Sequence, residues 1–308
     1  MATVLADDES APLPDTRVTV VPMAWRGAML PASPRDVPEE VAVALTYNGS
    51  TQAVMMATPA DLEDFAVGFS LTERIVQSVD DIESLEILSL EGGIEARMWI
   101  ADEYSRKLSK RRRMMAGPTG CGLCGIESLG EALPVVPVVA SDARFSPDQL
   151  MTALAALTES QALHRATRAV HAAGFWQPGS GMVTAREDLG RHNAMDKLVG
   201  ALARNGVVAS NGIAVITSRV SVEIVQKAAT LGVPVLMAVS APTALALRTA
   251  QQAGITIIAI ARTDGFEIFT ILDAVFHKRV VGYDFKASDH PFFVLTVKEP
   301  LGDNSFQG

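Results

Sequence analysis

The C-terminal half of the chain alternates short apolar runs with helix-like segments, and this alternation limits the possible folds more than any other feature. The runs begin at Ile213, Val233 and Ile255, and each is about the length of one strand. Alternation of this kind with short turns predicts a βαβαβ unit, in which helices cover a parallel sheet. The predicted elements are strand Ile213–Thr217, helix Val220–Leu231, strand Val233–Val239, helix Pro242–Ala253 and strand Ile255–Ala261.

The predicted parallel sheet has consequences for where a ligand binds. In such sheets, ligands bind beyond the carboxyl ends of the strands, where loops and helix N-termini offer unpaired N–H groups. Three loops follow the predicted strands, namely Ser218-Arg219, Ser240 to Thr243, and Arg262 to Gly265. Ser218, Arg219 and Ser240 are therefore candidate ligand-binding residues.

The N-terminal half has a different, β-rich pattern. EVAVALTYNG ends in Asn48-Gly49 and is followed at once by TQAVMMA, a combination that predicts a β-hairpin. Thr58-Pro59 then predicts the start of a helix, with Thr58 as its N-cap. We divide the chain into an N-terminal arm (1–38), a β-rich part with one helix (39–140), an α/β part (141–275) and a C-terminal extension (276–308), whose FFVLTV run suggests an added strand or a dimer contact.

Charge and hydropathy exclude several classes of protein. A net charge of −9 argues against nucleic-acid binding, which needs a dominant basic surface. The apolar runs are well short of the roughly 20 residues that span a bilayer, so no membrane segment is predicted. The acidic start at Asp7, Asp8 and Glu9 is unlike a secretory signal, and two cysteines cannot build a disulfide framework. We therefore expect a cytoplasmic protein with reduced thiols.

Both cysteines lie three positions apart in one glycine-rich stretch, GCGLCG, as Cys121 and Cys124. Three functions suit this pattern: half of a zinc site, a thioredoxin-like dithiol, or a thiolate arm that carries sulfur. A structural zinc site requires four ligands, and a deaminase-type site also requires the motif H-x-E. His192 does not match this motif, because it is followed by Asn193-Ala194. No zinc is expected. The glycines on both sides favour a mobile carrier over a dithiol at a helix N-terminus.

Two further motifs have both a structural and a functional interpretation. Residues 106–113 read RKLSKRRR, which is either the solvated face of a helix or an electropositive rim for an anionic ligand or partner. Residues 186–197 read REDLGRHNAMDK, and a helix is predicted to begin near Arg191. Polar groups at a helix start either hold an anion or form a capped, salt-bridged turn. Both alternatives stay open for His192, Glu187 and Asp188.

Six blocks of the sequence together resemble one known family, the FdhD family of formate dehydrogenase accessory sulfurtransferases. The resemblance covers about residues 38–270. The blocks are MATPADLEDFAVGFSLTE (56–73), GCGLCG (120–125), HAAGFW (171–176), REDLGRHNAMDKLVG (186–200), TSRVSVEIVQKAA (217–229) and VPVLMAVSAPTALALRTAQQAGITIIAIAR (233–262).

The resemblance implies a fold, a reaction and partners. The fold is α/β, with a cytidine-deaminase-like core that lacks the deaminase zinc, and the protein is a homodimer. The implied reaction carries a persulfide from a cysteine desulfurase to the bis(molybdopterin guanine dinucleotide) molybdenum cofactor, which the formate dehydrogenase catalytic subunit requires. By position, Cys121 matches the persulfide-bearing cysteine and Cys124 the second thiol.

The resemblance also assigns a nucleotide site, at the segment from Ile260 to Gly265. Its members are Ile260, Ala261, Arg262, Thr263, Asp264 and Gly265. His192 gains a possible role beside the cofactor or the thiol. The main alternative function is a chaperone that binds and inserts the cofactor without forming a persulfide.

Overall fold

Two larger β-sheets, two small two-stranded sheets and the helices packed on them make up the part of the chain that our computed structural model describes, residues 12–114 and 135–270. The strands are β1 (Arg17–Val20), β2 (Met23–Trp25), β3 (Met29–Pro31), β4 (Arg35–Pro38), β5 (Val41–Tyr47), β6 (Ser50–Ala57), β7 (Ile82–Leu90), β8 (Gly93–Ile100), β9 (His171–Gln177), β10 (Gly181–Asp188), β11 (Ile213–Ile216), β12 (Val235–Ala238), β13 (Thr256–Arg262) and β14 (Gly265–Ile268). The helices are α1 (Leu62–Thr72), α2 (Asp102–Met114), α3 (Pro147–Ser160), α4 (Ala162–Thr167), α5 (Arg191–Arg204), α6 (Val222–Leu231) and α7 (Ala244–Ala253), with 3-10 turns at Val79–Asp81 and Ala209–Asn211.

The C-terminal sheet has six strands in the order β10-β9-β11-β12-β13-β14. The strands β11, β12 and β13 are parallel, with Val215 opposite Met237 and Met237 opposite Ile258. Helix α3 covers one face, and α5, α6 and α7 cover the other. The prediction of a parallel βαβαβ unit covered by helices is thus confirmed.

The two crossover helices begin later than the sequence pattern predicts. Helix α6 begins at Val222 instead of Val220, and α7 begins at Ala244 instead of Pro242. The reason is that Val220 and Pro242 form a parallel bridge of their own, and the N–H of Val220 donates to the carbonyl of Ala241 at 3.2 Å. These residues extend the sheet pairing beyond the ends of β11 and β12.

The N-terminal sheet has four strands in the order β6-β5-β8-β7. The predicted hairpin is confirmed as β5 and β6, and β8 adds in parallel to β5. Helix α1 covers the inner face, where Phe65 and Phe69 join Leu45 and Met98 in one apolar core.

The predicted helix start at Thr58 is wrong. Helix α1 begins at Leu62, and its N-cap residue is Asp61, whose φ is 52° and whose side chain makes no capping hydrogen bond. Thr58 instead links the two halves of the chain. Its N–H donates to Oδ2 of Asp188 at 3.0 Å, and its Oγ1 accepts from the N–H of Leu189 at 3.2 Å.

The N-terminal arm is more regular than predicted, because β1 pairs with β4 and β2 pairs with β3. Residues 1–11 and the predicted C-terminal extension, 276–308, lie outside the described residues. The division into parts at 38, 140 and 275 stays a prediction. Across the described residues, no helix has the length and apolar character needed to cross a membrane.

Helices α1 and α5 hold the two sheets together by packing backbone against backbone. A Cβ atom placed on Gly68 of α1 would lie 1.7 Å from the carbonyl oxygen of Asp196. One placed on Gly200 of α5 would lie 1.9 Å from the carbonyl oxygen of Asp64. Both positions therefore require glycine, because real side-chain carbons do not approach backbone oxygens this closely.

Two buried ion pairs reinforce this helix contact. The Nζ of Lys197 lies 2.7 Å from Oδ2 of Asp188, and both side chains are fully buried. The Nζ of Lys227 on α6 lies 2.7 Å from Oδ1 of Asp196 on α5 and donates to Oγ1 of Thr72 on α1 at 3.0 Å. Three helices thus share one buried charge cluster. Buried pairs of this kind are costly to break, since the surviving charge loses its partner.

The glycine contact predicts the effect of a single added methyl group. The Gly200→Ala variant should lose about 3 kcal/mol or more of unfolding free energy, at the upper end of overpacking costs, because the obstructing atoms are backbone. Urea denaturation followed by circular dichroism measures this loss. Ala155→Ser, which adds one heavy atom at an exposed position of α3, is the control and should change stability by less than about 0.5 kcal/mol. Equal stability of the two variants would contradict the close helix contact.

Candidate functional site

The carboxyl ends of β11, β12 and β13 bring the predicted cofactor-binding residues to one edge of the sheet, which we call the nucleotide edge. Ser218 and Arg219 follow β11, Ser240 follows β12, and residues 260–265 end β13 and turn into β14. The N–H of Ile260 donates to the carbonyl of Ser240 at 3.3 Å. Two of the three predicted loops are therefore in direct contact.

The end of β13 is distorted at the predicted nucleotide segment. Ile260 has a φ of 52°, and the pairing of β13 with β14 shifts register between Ala259 and Arg262. A β-branched residue with positive φ is a genuine backbone outlier, and such strain clusters at functional sites. The distortion gives the segment a shape that a regular strand lacks.

The side chains of this segment divide into buried and exposed members. Ala261 is buried, whereas Arg262, Thr263 and Asp264 are exposed. Gly265, which is partly buried, begins β14. Arg262 is held in place by hydrogen bonds from Nη1 to the carbonyls of Val239 and Ala261. The tip of the turn therefore presents one carboxylate and one hydroxyl, with a guanidinium at its base.

The two residues after β11 have different environments. Ser218 is buried, and its Oγ donates to the carbonyl of Arg219 at 3.1 Å. Arg219 is exposed. Ser218 therefore shapes the loop, while Arg219 can reach a ligand.

His192 lies in the first turn of α5, next to the first turn of α6. Its Nε2 is 3.9 Å from Oε2 of Glu223, and the side chain is 33% exposed. The N-cap residues of the two helices, Gly190 and Ser221, make no side-chain capping hydrogen bond. The two helix N-termini, which carry partial positive charge, thus lie side by side, and Glu223 is the acidic residue in the first turn of α6.

His192 is neutral at physiological pH. Burial, followed by the positive charges of Arg191 and Lys227, lowers its pKa to about 4, and the carboxylates of Glu223 and Glu73 offset only part of this shift. Burial and Arg191 also lower the pKa of His171. Burial is therefore the main cause of the lowered pKa of both histidines, and the nearby cation Arg191 adds to it.

Glu187 and Asp188 form part of the scaffold. The two carboxylate oxygens of Glu187 accept from the N–H groups of Leu163 and His164 at 2.8 Å each, at the start of α4. Oδ1 of Asp188 accepts from the N–H of Gly190 at 2.7 Å, and Oδ2 takes part in the pair with Lys197. Of the two alternatives left open by the sequence, the geometry favours the capped, salt-bridged turn for these carboxylates.

Sequence reasoning missed four residues of this region. Thr217 accepts from the N–H of Ala172 at 2.9 Å and lies 3.5 Å from Nδ1 of His171. Arg191 and Glu223 are the charged neighbours that set the state of His192. His171 lies in the HAAGFW block, but no role is assigned to it from the sequence. The available signal was position, because each of the four residues is at the end of a strand or in the first turn of a helix.

Cys121 and Cys124 lie outside the described residues, but the chain on either side of them is described. On the N-terminal side, Tyr104 and Lys107 of α2 border the ends of α5 and α6 at Arg204 and Leu231. On the C-terminal side, Nη2 of Arg74 donates to the carbonyl of Val135 at 2.8 Å. These flanks are at the edge opposite the nucleotide edge, since helices α5 and α6 end there. We call it the thiol edge.

The pKa of His192 predicts a pH effect on stability. Because the folded protein keeps His192 neutral down to about pH 4 while the unfolded chain protonates near pH 6.5, stability falls as pH drops between these values. His192→Gln should lose less unfolding free energy than wild type between pH 7.5 and pH 5, measured by urea denaturation. At pH 7.5 and above, His192 is neutral in both the folded and the unfolded protein, so its titration no longer changes the unfolding free energy. Equal losses in both proteins would contradict the lowered pKa, which NMR titration of the ring can check.

Comparison with known proteins gives a consistent result. The FdhD/NarQ family model matches residues 38–275. A protein of Agrobacterium fabrum called sulfur carrier protein FdhD is 53% identical over 242 residues, which are 78% of this chain and 89% of that one. A protein of the same name from Brucella abortus is 55% identical over 249 residues, which are 80% of this chain and 93% of that one.

A solved structure supports the fold. The chain is similar to a Desulfotalea psychrophila protein described as a formate dehydrogenase accessory protein, with a TM-score of 0.66 at 22% identity. The similarity covers 86% of this chain and all of that one. With the family model spanning both the cysteine segment and the nucleotide edge, the chain belongs to the FdhD/NarQ family.

Proposed function

We propose that this protein is a sulfurtransferase in the maturation of formate dehydrogenase. It carries a persulfide from a cysteine desulfurase to the bis(molybdopterin guanine dinucleotide) molybdenum cofactor, which is its substrate. The observation that carries the proposal is the family match over residues 38–275, with relatives above 50% identity called sulfur carrier proteins. That range includes both cysteines and every residue of the nucleotide edge.

The chemistry of loading needs only a thiolate and a persulfide. The Cys121 thiolate attacks the terminal sulfur of the desulfurase persulfide, a new S–S bond forms on Cys121, and the donor thiolate leaves with the electron pair of the broken bond. No oxidant is required. Cys124 offers a release step: its thiolate attacks Sγ of Cys121, a disulfide forms, and hydrosulfide leaves. A cellular dithiol then reduces the disulfide.

The nucleotide edge has the chemistry to hold the guanine nucleotides of the substrate. Asp264 is exposed at the tip of the β13–β14 turn, where a carboxylate can accept from the N–H groups of guanine. Arg219 and the N-termini of α5 and α6 suit the phosphates. We also infer that the core is cytidine-deaminase-like, because the antiparallel pair β9–β10 is followed by the parallel strands β11 to β13 with intervening helices. The absence of zinc stays a prediction.

In this proposal, the two stages of the reaction take place at the two edges. Helix α6, which runs between them, has ten residues and is about 15 Å long. From Met114 to Cys121 the chain has seven residues, whose maximum reach when extended is about 25 Å. Loading at the thiol edge and delivery toward the nucleotide edge are thus within reach of one carrier. The homodimer, the chaperone role and the cytoplasmic location belong to the same proposal.

Mass spectrometry tests the role of Cys121. Wild-type protein incubated with a cysteine desulfurase and cysteine, then rapidly alkylated, should gain one sulfur on Cys121, and Cys121→Ser should gain none. Cys124→Ser is the matched control and should still load Cys121. An active desulfurase that leaves Cys121 unmodified would favour the insertion chaperone instead.

Calorimetric titration with GDP tests the nucleotide edge. Asp264→Asn should weaken GDP binding by about 10- to 100-fold, the usual cost of losing a charged hydrogen-bond partner. Glu267→Gln, which changes an exposed carboxylate three residues away on β14, is the control and should bind as wild type does. Equal weakening by both variants would indicate a general charge effect and contradict guanine recognition by Asp264.

A further inference from the structure

A cleft of about 840 Å³ opens at the thiol edge, outside the nucleotide edge. It lies between the end of α1, helix α2 and the ends of α5 and α6. Its floor is apolar and includes Leu71, Val76, Tyr104, Val199 and Leu231. Residues from both apolar cores therefore meet in it.

The rim of the cleft is cationic. Arg74 and Lys107 are exposed and, within the described part of the chain, neither forms an ion pair with a carboxylate. The Nζ of Lys107 lies 5.0 Å from the ring centroid of Tyr104. Arg204, the third cation, is already paired with Asp64 and Glu63. Asp80 is the carboxylate among the described lining residues.

Arg74 occupies a position where glycine is the usual residue. It directly follows Glu73, the C-cap of α1, and its φ is 55°, in the left-handed region. Most helices that end this way use glycine there, because a side chain adds strain. From this position the side chain of Arg74 reaches the carbonyl of Val135, to which its Nη2 donates at 2.8 Å.

We propose that this cleft is the docking site for the sulfur donor, a proposal that rests on the sulfurtransferase function above. Its occupant is a segment of the cysteine desulfurase that carries carboxylates beside apolar side chains. The apolar floor suits hydrocarbon side chains, and Arg74 and Lys107 suit carboxylates. Lys107 belongs to the basic sequence run 106–113, whereas the chain as a whole carries a net charge of −9. Attraction of an acidic partner would therefore be local.

The geometry favours a protein segment over a nucleotide. Helices α5 and α6 present their C-terminal ends to the cleft, at Arg204 and Leu231. These ends carry partial negative charge and oppose a compact polyanion such as a pyrophosphate. Phosphates are bound at helix N-termini, which lie at the opposite edge.

The position of the cleft explains how docking aids the transfer. Lys107 lines the cleft, and Val135, which follows the segment that contains Cys121, accepts a hydrogen bond from the lining residue Arg74. A desulfurase bound there is held at the base of the cysteine segment. The donor persulfide and the Cys121 thiolate are then confined to a small volume, which raises their effective concentration.

The test measures persulfide loading of Cys121 at varied desulfurase concentration and low salt, in the full-length protein. Arg74→Gly and Lys107→Glu should each raise the KM for the desulfurase about tenfold and leave kcat unchanged. Arg168→Gly, which changes another exposed arginine with positive φ at a helix end, is the matched control and should leave KM unchanged. Arg74→Gly should melt at or above the wild-type temperature, so a loss of docking cannot come from unfolding.

A second sulfur source distinguishes a failure of the docking proposal from a failure of the proposed sulfur carrier function. Inorganic polysulfide, which needs no docking site, should load Cys121 equally in wild type, Arg74→Gly and Lys107→Glu. Unchanged KM values for the desulfurase in both variants would overturn the docking site while leaving the carrier function intact. Loss of GDP binding in Arg74→Gly with an unchanged KM would reassign the cleft to a nucleotide. A wild-type protein loaded by neither donor would refute the carrier function itself.

Discussion

The contact between Gly68 of α1 and Gly200 of α5 is the constraint on which the rest of the structure depends. It lets the two helices approach until backbone meets backbone, and thereby joins the N-terminal sheet to the C-terminal sheet. The buried pair Asp196–Lys227 lies beside that contact and joins α5 to α6. Thr72 of α1 donates to Asp196 at 2.6 Å and accepts from Lys227 at 3.0 Å, so α1 is tied to the same cluster.

The same contact places both functional edges. The N-terminus of α5 is held beside that of α6, so that His192 and Glu223 meet at the nucleotide edge. The opposite end of α1 brings Arg74 to the thiol edge, where it holds Val135 as the chain returns from the cysteine segment. In the proposed function, this helix layer separates sulfur loading from cofactor binding.

Much of the fold could be predicted because its signals are local. The strands β11 to β13 and the hairpin at Asn48-Gly49 follow from short patterns, and the structure has them. The local pattern predicted Thr58 as a helix cap, whereas its actual partner, Asp188, is 130 residues away in the sequence and leaves no local signal. The glycine contact and the Lys227 cluster were missed for the same reason: they depend on helices from distant parts of the chain. The loops of the site could be predicted from the order of the strands. Arg191 and Glu223, the charged neighbours of His192, could not be predicted without knowing that helices α5 and α6 begin side by side.

A single-turnover experiment with labelled sulfur follows the whole proposed reaction. Protein carrying a ³⁵S persulfide on Cys121 is freed of desulfurase and mixed with the molybdenum cofactor and inactive formate dehydrogenase. We predict that label leaves Cys121 and appears in the cofactor of the enzyme in proportion to the activity gained. Activity gained without transfer of label would contradict the sulfur carrier role and leave cofactor insertion as the function.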